Sequence, residues 1–189
     1  MLSVYRPYFE SGYDWVTPVG GAGSVPNLKY RNRGDPWEPL WMFMTTADAE
    51  GMPRRPADMP WHSSGTMVLK EKARRVLEPV LGKDVELLSA YDAEGEPLWL
   101  VHAWRMVDAL DESASEVHRF RGSGRIMDVR RWSLRAAAVR DLTCFRVPQQ
   151  PSKMLVTEKV VAAVNSAGLH GTVFRPIWHS CHSIMGQGA

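Results

Sequence analysis

Cysteine is nearly missing from this chain: Cys144 and Cys181 are the only two in 189 residues. Two cysteines in a chain of this length build no disulfide framework, so the expected compartment is a reducing cytoplasm. Long apolar runs are missing too. The first twenty residues carry Arg6, Glu10 and Asp14 and no apolar stretch of seven, which speaks against a standard signal peptide. No run approaches the roughly 18 apolar residues of a membrane span, so no membrane partner is expected. An excess of one charge is also lacking, with 23 basic against 21 acidic residues and a formal net charge of +2. That balance argues against a general nucleic-acid binder, which shows a clustered basic face.

Catalytic signatures are equally scarce. No Gly-x-Ser-x-Gly elbow is present. Gly20-Gly21-Ala22-Gly23 is followed by Val25-Pro26-Asn27, without the helix start and Lys-Ser/Thr pair of a phosphate loop, and reads as a flexible loop. His179, Cys181 and His182 have zinc-ligand chemistry but no second, distant pair of ligands, so they read as a polar tail without metal. Asp108, Asp111 and Glu112 fall within five residues. Close carboxylates can do acid–base work, but in a turn after an apolar strand they more often cap backbone N–H groups. Arg121 and Arg125, around Gly122 and Gly124, could grip a phosphate or face an acidic partner; the plainer reading is a solvated hairpin tip. Cys144 lies in an apolar run and is expected to be buried and inert.

What is present is architecture. The chain is 44% apolar and holds eight tryptophans, enough for the core of one domain. Met67–Ala90 and Met154–Ile177 resemble copies of one unit. Each has an apolar start, a Glu-Lys pair (Glu71-Lys72, Glu158-Lys159), helix formers, a glycine (Gly82, Gly168) and a strand-like run. The expected fold is mixed α/β (α+β). It is a single domain with two strand–helix–strand units in one core and mostly antiparallel hairpins. The expected organisation is a variable N-terminal segment packing on the core over 1–45, the main domain over 46–178 and a tail over 179–189.

Locally, Leu40–Thr46 reads as a buried strand, and a first helix runs from Lys70 to Glu78 until Pro79 disrupts it. Val85–Tyr91 and Leu98–Val107 form a hairpin, with the second strand central and covered on both faces. A second hairpin joins Glu116–Phe120 to Arg125–Val129. A helix follows over Trp132–Val139 and a strand over Leu142–Val147. Thr157 is the expected N-cap of the last helix, which Gly168 ends in a left-handed turn.

The order of four segments carries a resemblance: MVLKEKARRVLEPV (67–80), WLVHAWRMVDALDESAS (99–115), RIMDVRRWSL (125–134) and DLTCFRVPQQPSKMLVTEKVVAAVNSAGLHGTVFRPI (141–177). Together they resemble an immunity-protein family of bacterial polymorphic toxin systems, of the myxobacterial type. Lys70 departs from the pattern, standing where a capping Ser or Thr is usual. The resemblance implies a non-enzymatic protein with no cofactor, which binds a cognate toxin domain from an adjacent gene and occludes it. It implies no catalytic residues. Interface candidates are aromatics in loop-like sequence, Tyr13, Trp15, Tyr30, Trp37 and Trp61, with Arg121 and Arg125; core burial is the competing reading for each aromatic. The alternative is a small enzyme or nucleotide-binding regulator using the Asp108/Asp111 turn or the Arg121/Arg125 hairpin. Oligomeric state is not legible.

Overall fold

The structure, a computed structural model, describes residues 1–21, 28–62 and 65–180. Two β assemblies share one apolar layer. Six strands close a barrel in the order β2 (Trp15–Pro18), β3 (Leu40–Thr45), β6 (Val85–Tyr91), β7 (Pro97–Ala103), β5 (Thr66–Leu69) and β4 (Trp61–His62). Four strands make an open sheet in the order β10 (Cys144–Phe145), β11 (Leu155–Thr157), β1 (Ser3–Phe9) and β12 (Thr172–His179). A separate hairpin, β8 (Glu116–Arg119) and β9 (Ile126–Arg131), completes the strands of the described residues.

The two repeat units take the same form, one in each assembly. In the first, β5 and β6 flank β7 and both run antiparallel to it, so they are parallel to each other. Helix α1 (Glu71–Leu81) makes the crossover. In the second, β11 and β12 flank β1 with the same sense, and α3 (Glu158–Ser166) makes the crossover. Each unit is therefore a strand–helix–strand with one antiparallel strand inserted. The inserted strand comes from just after the first unit in one case and from the N-terminus in the other. The N-terminal segment thus supplies β1, β2 and β3.

The helices pack on each other, and their apolar stripes meet in one core. Ala73, Leu77 and Leu81 of α1 join Val160 and Val164 of α3, with Met67, Leu69 and Val101 from the barrel and Cys144 and Val156 from the sheet. A second cluster forms on the other side of the sheet, where Val4, Phe145 and Leu155 meet Val129, Trp132 and Leu134. The barrel is filled by Val16, Met42, Val68, Leu88, Leu98 and Leu100. Along β7, Leu98 and Leu100 face into the barrel while Val101 faces the helices, so this strand is covered on both sides as expected.

Several local expectations need correction. Pro79 lies inside α1, which continues to Leu81, because Leu77 and Leu81 are buried and hold the last turn across the missing N–H. Gly82 ends that helix at φ 53. Thr157 is the N-cap residue of α3 as expected, but it makes no side-chain cap bond; its hydroxyl donates to the Leu142 carbonyl (3.1 Å). Glu158 accepts the Ser3 N–H (2.8 Å), tying the helix start to β1. Helix α2 is only Ala136–Val139, since Trp132 and Leu134 alternate into the second cluster as extended chain and Leu134 bridges Leu110. The strand expected over 142–147 is Cys144–Phe145 alone, because Arg146 turns to bond the 105–107 segment. Gly168 does end α3 in the left-handed region, at φ 57.

The barrel and the sheet are locked together at Gly171. Its φ of 107 is open to glycine alone, and a Cβ there would lie 2.6 Å from both the Ala57 Cβ and the Met59 carbonyl oxygen. The same contact is stitched by Met59 N–H to the His170 carbonyl (2.8 Å) and the Thr172 hydroxyl to the Met59 carbonyl (3.1 Å). Gly171 N–H donates to Glu10 (2.8 Å), and the Tyr13 ring stacks on His170 at 5.3 Å.

At one end of the barrel the chain buries polar groups. His102 is fully buried, and it pairs in register with Glu86, which takes the Arg31 guanidinium (3.3 Å). The buried Arg146 donates to the Leu28 carbonyl (3.0 Å). Burial, reinforced by the positive charge of Arg146, lowers the His102 pKa to about 4. Burial also lowers that of His62.

Two predictions follow from these contacts. Gly171→Ala combines a forbidden φ with a backbone clash and is expected to cost about 3 kcal/mol or more in urea unfolding. A cost under about 1 kcal/mol would show that the junction can yield. For His102, the native ring stays neutral down to about pH 4, whereas the unfolded chain takes up the proton near pH 6.5. Its contribution is therefore full above pH 6.5 and is lost as pH falls toward 4, by at most about 3 kcal/mol. Unfolding free energies from pH 7 to 4 should fall more steeply in the wild type than in His102→Leu. Parallel curves would contradict this.

Candidate functional site

The buried strand expected over Leu40–Thr46 is β3, Leu40–Thr45, and it is covered on one side only. Leu-Trp-Met-Phe-Met-Thr alternates: Met42 is fully buried inside the barrel, but Trp41 is 53% and Phe43 54% exposed on its outer wall. Strand pairing extends this face sideways. Thr17 of β2 is the register partner of Phe43, and Trp15 that of Thr45. Tyr91 of β6 is the partner of Trp41, and their rings meet at 5.5 Å. Val19, 46% exposed, is fixed alongside by its N–H to the Trp41 carbonyl (2.8 Å). The helices α1 and α3 pack toward the β5 and β7 side and the sheet. The result is a stripe of aromatic rings on rigid strands, open to solvent, which is the usual mark of an interaction surface.

The candidate residues distribute unevenly around this stripe. Trp15 borders it, half-buried, with Trp61 as its register partner on β4; Trp61 packs on the central core. Trp37 is half-buried, its indole N–H donating to the Ser89 carbonyl (2.9 Å) and the Arg31 guanidinium lying over its ring. Tyr30 is 73% exposed, with Lys29 above its ring. Tyr13 is only 6% exposed, held between His170 and Arg55 at the junction. Arg121 and Arg125 sit at the exposed tip of the β8–β9 hairpin, which packs on the second cluster away from the barrel filling. Phe120 beside them is 51% exposed.

Trp41, Phe43 and Tyr91 were missed because no polar residue marks the outer face of β3. Both its faces are apolar, and that pattern ordinarily means burial on both sides. The alternation alone could have flagged it, since large rings occupy every second position.

The carboxylate turn is occupied structurally. Asp111 accepts the Ser113 hydroxyl (2.6 Å) and the N–H groups of Ser113 and Ala114, which hold its pKa below the usual carboxylate range. Asp108 pairs with Arg135 (2.8 Å), and Glu112 with Arg119 (2.7 Å) and Gln149 (3.1 Å). Burial pushes the Cys144 thiol up to about 12. A cavity of about 420 Å³ beside α3 contains Glu10 and His170, both already engaged at the junction. Among the described residues no three His, Cys, Asp or Glu side chains converge as a metal site, and no helix is long and apolar enough to cross a membrane. His179 lies at the end of β12 and meets the Ser3 hydroxyl at 2.9 Å, whereas Cys181 and His182 fall outside the described residues.

Comparison with known proteins gives one assignment. No curated protein matches the chain. The immunity protein family (Imm11) matches residues 31–179, a span that takes in β3 through β12, both repeat units and the aromatic strand of the barrel wall. On that match over most of its length, the chain belongs to the immunity protein family (Imm11).

Proposed function

We propose that this protein neutralises a cognate bacterial toxin domain of a polymorphic toxin system by occlusion, without chemistry of its own. It acts in the cytoplasm on the product of an adjacent gene, and its toxin-binding face is the outer barrel wall around Trp41, Phe43 and Tyr91. The observation that carries the reading is the exposed stripe on β3. Rigid aromatics are the usual anchors of tight interfaces, because they bury a large area and lose little side-chain freedom. Strand-borne rings bring that area pre-organised. The carboxylate turn supports the non-catalytic reading from the other direction, since its acceptors are already used by backbone and arginine donors.

The test separates binding from folding. Trp41→Ala and Phe43→Ala, each purified and titrated against the toxin domain encoded beside this gene, should each cost about 2 kcal/mol or more of binding, roughly thirtyfold in Kd. Both side chains are more than half exposed, so the melting temperature should shift by no more than about 2 °C. Co-expressed cells should lose protection in parallel. Unchanged affinity in both variants would remove the barrel wall from the interface. Loss of protection on Asp108→Ala or Asp111→Ala with toxin binding and stability intact would point to catalysis.

A further inference from the structure

The net charge of +2 conceals a strong local separation. Residues 116–140 hold seven arginines against two carboxylates, which leaves 16 basic and 19 acidic residues in the rest of the chain. The barrel wall belongs to the acidic part. Strands β3 and β6 are parallel neighbours, pairing Leu40 with Ala90 and Trp41 with Tyr91, so both run on from the aromatic wall in the same direction. Each leads to the same tetrapeptide, Asp48-Ala49-Glu50-Gly51 separated from β3 by two residues and Asp92-Ala93-Glu94-Gly95 immediately after β6.

The two turns are built alike. The Asp48 carboxylate accepts the N–H groups of Glu50 (3.1 Å) and Met52 (2.8 Å). The Asp92 carboxylate accepts those of Glu94 (3.1 Å) and Glu96 (2.8 Å). In both, the glycine takes a positive φ, 80 at Gly51 and 86 at Gly95, and its N–H returns to the aspartate carbonyl at 3.1 Å. The aspartates are used up inside the turns. Glu50, Glu94 and Glu96 are exposed and have no ion-pair partner within 4 Å among the described residues. Of the cations near these turns, Arg54 and Arg55 lie over the rings of Phe9 and Tyr13 and Lys72 pairs with Asp58 (3.1 Å), while Lys70 lines a cavity with Asp92 and Glu96 without coming within 4 Å of a carboxylate among the described residues.

We infer that the toxin surface received by the aromatic wall is basic, with lysines or arginines placed to meet Glu50, Glu94 and Glu96 as the rings of Trp41 and Phe43 are buried. This rests on the docking face proposed above and adds the partner's chemistry. Unpaired carboxylates at the rim of an apolar patch would repel an acidic surface and attract a basic one. Rim charges act mainly on the rate of encounter, and buried anchors on the rate of release.

The experiment measures association and dissociation separately. The triple variant Glu50→Lys/Glu94→Lys/Glu96→Lys and the single variant Trp41→Ala are compared with wild type. The probe is the catalytically inactivated toxin domain encoded beside this gene, at low and at moderate ionic strength. The triple variant should associate at least about tenfold more slowly at low salt, with a flattened salt dependence and a dissociation rate within about threefold of wild type. Trp41→Ala should chiefly speed dissociation. Association of the triple variant as fast as or faster than wild type overturns the basic partner, even if Trp41→Ala still weakens binding. If charge reversal slows association but Trp41→Ala and Phe43→Ala leave dissociation unchanged, the partner is basic and the aromatic docking face is wrong. No effect from any of these variants overturns both.

Discussion

The approach of Gly171 to the Met59 carbonyl is the contact on which the rest of the molecule depends. One repeat unit builds the barrel and the other builds the open sheet, and neither could bury its helix alone. Without a Cβ at position 171, the start of β12 lies directly against the chain entering β4, and three backbone-directed hydrogen bonds close the seam. That close approach brings α1 and α3 together, and their apolar stripes then form one layer with Met67, Leu69 and Val156. Tyr13 and Glu10 serve the same seam, which is why an aromatic in loop-like sequence is nearly inaccessible.

Placing both helices toward the seam has a consequence for the opposite wall. A closed barrel needs its interior filled, and Met42, Val16, Leu88 and Leu100 do that. Its exterior needs cover only where the sequence is apolar. On the β5 and β7 side, Leu69 and Val101 are covered by the central core. On the β3 side, Trp41 and Phe43 remain more than half exposed. Leaving two such rings in water forgoes burial worth about 1.5–3 kcal/mol each, which a bound partner can recover. On the docking face proposed above, stability and binding would draw on opposite walls of one barrel, and substitutions on the outer wall would weaken binding while sparing the fold.

Much of this architecture was legible. The repeat at 67–90 and 154–177 rests on periodicity and on glycines at fixed places, signals that survive in a single sequence. The Asp92 turn and the Arg121–Gly124 tip were equally local. What escaped depends on tertiary context. Pro79 sits within a helix because two buried leucines outweigh one lost hydrogen bond. Thr157 turns its hydroxyl to the Leu142 carbonyl, just ahead of β10, and leaves its own helix end without a side-chain bond. Trp132 and Leu134 have helix-compatible neighbours, yet their spacing of two suits an extended segment beneath the β8–β9 hairpin. The site was least legible of all. Leu40–Thr45 is apolar on both faces, and only the three-dimensional placement of the helices decides which face is left open. The duplicated Asp-Ala-Glu-Gly turns were visible as letters, but that the strands leading to them are parallel neighbours required the pairing of β3 with β6.

The central claim is that a toxin domain covers the β3 wall, and side-chain footprinting tests it most directly. Hydroxyl-radical oxidation of the free protein and of its complex with the toxin domain encoded beside the gene reads the exposure of each ring. The account predicts that oxidation of Trp41 and Phe43 is strongly suppressed in the complex, whereas Phe120, on the distant hairpin and 51% exposed, stays as reactive as in the free protein. Protection of Phe120 with Trp41 and Phe43 still fully reactive would contradict it and move the interface to the arginine hairpin.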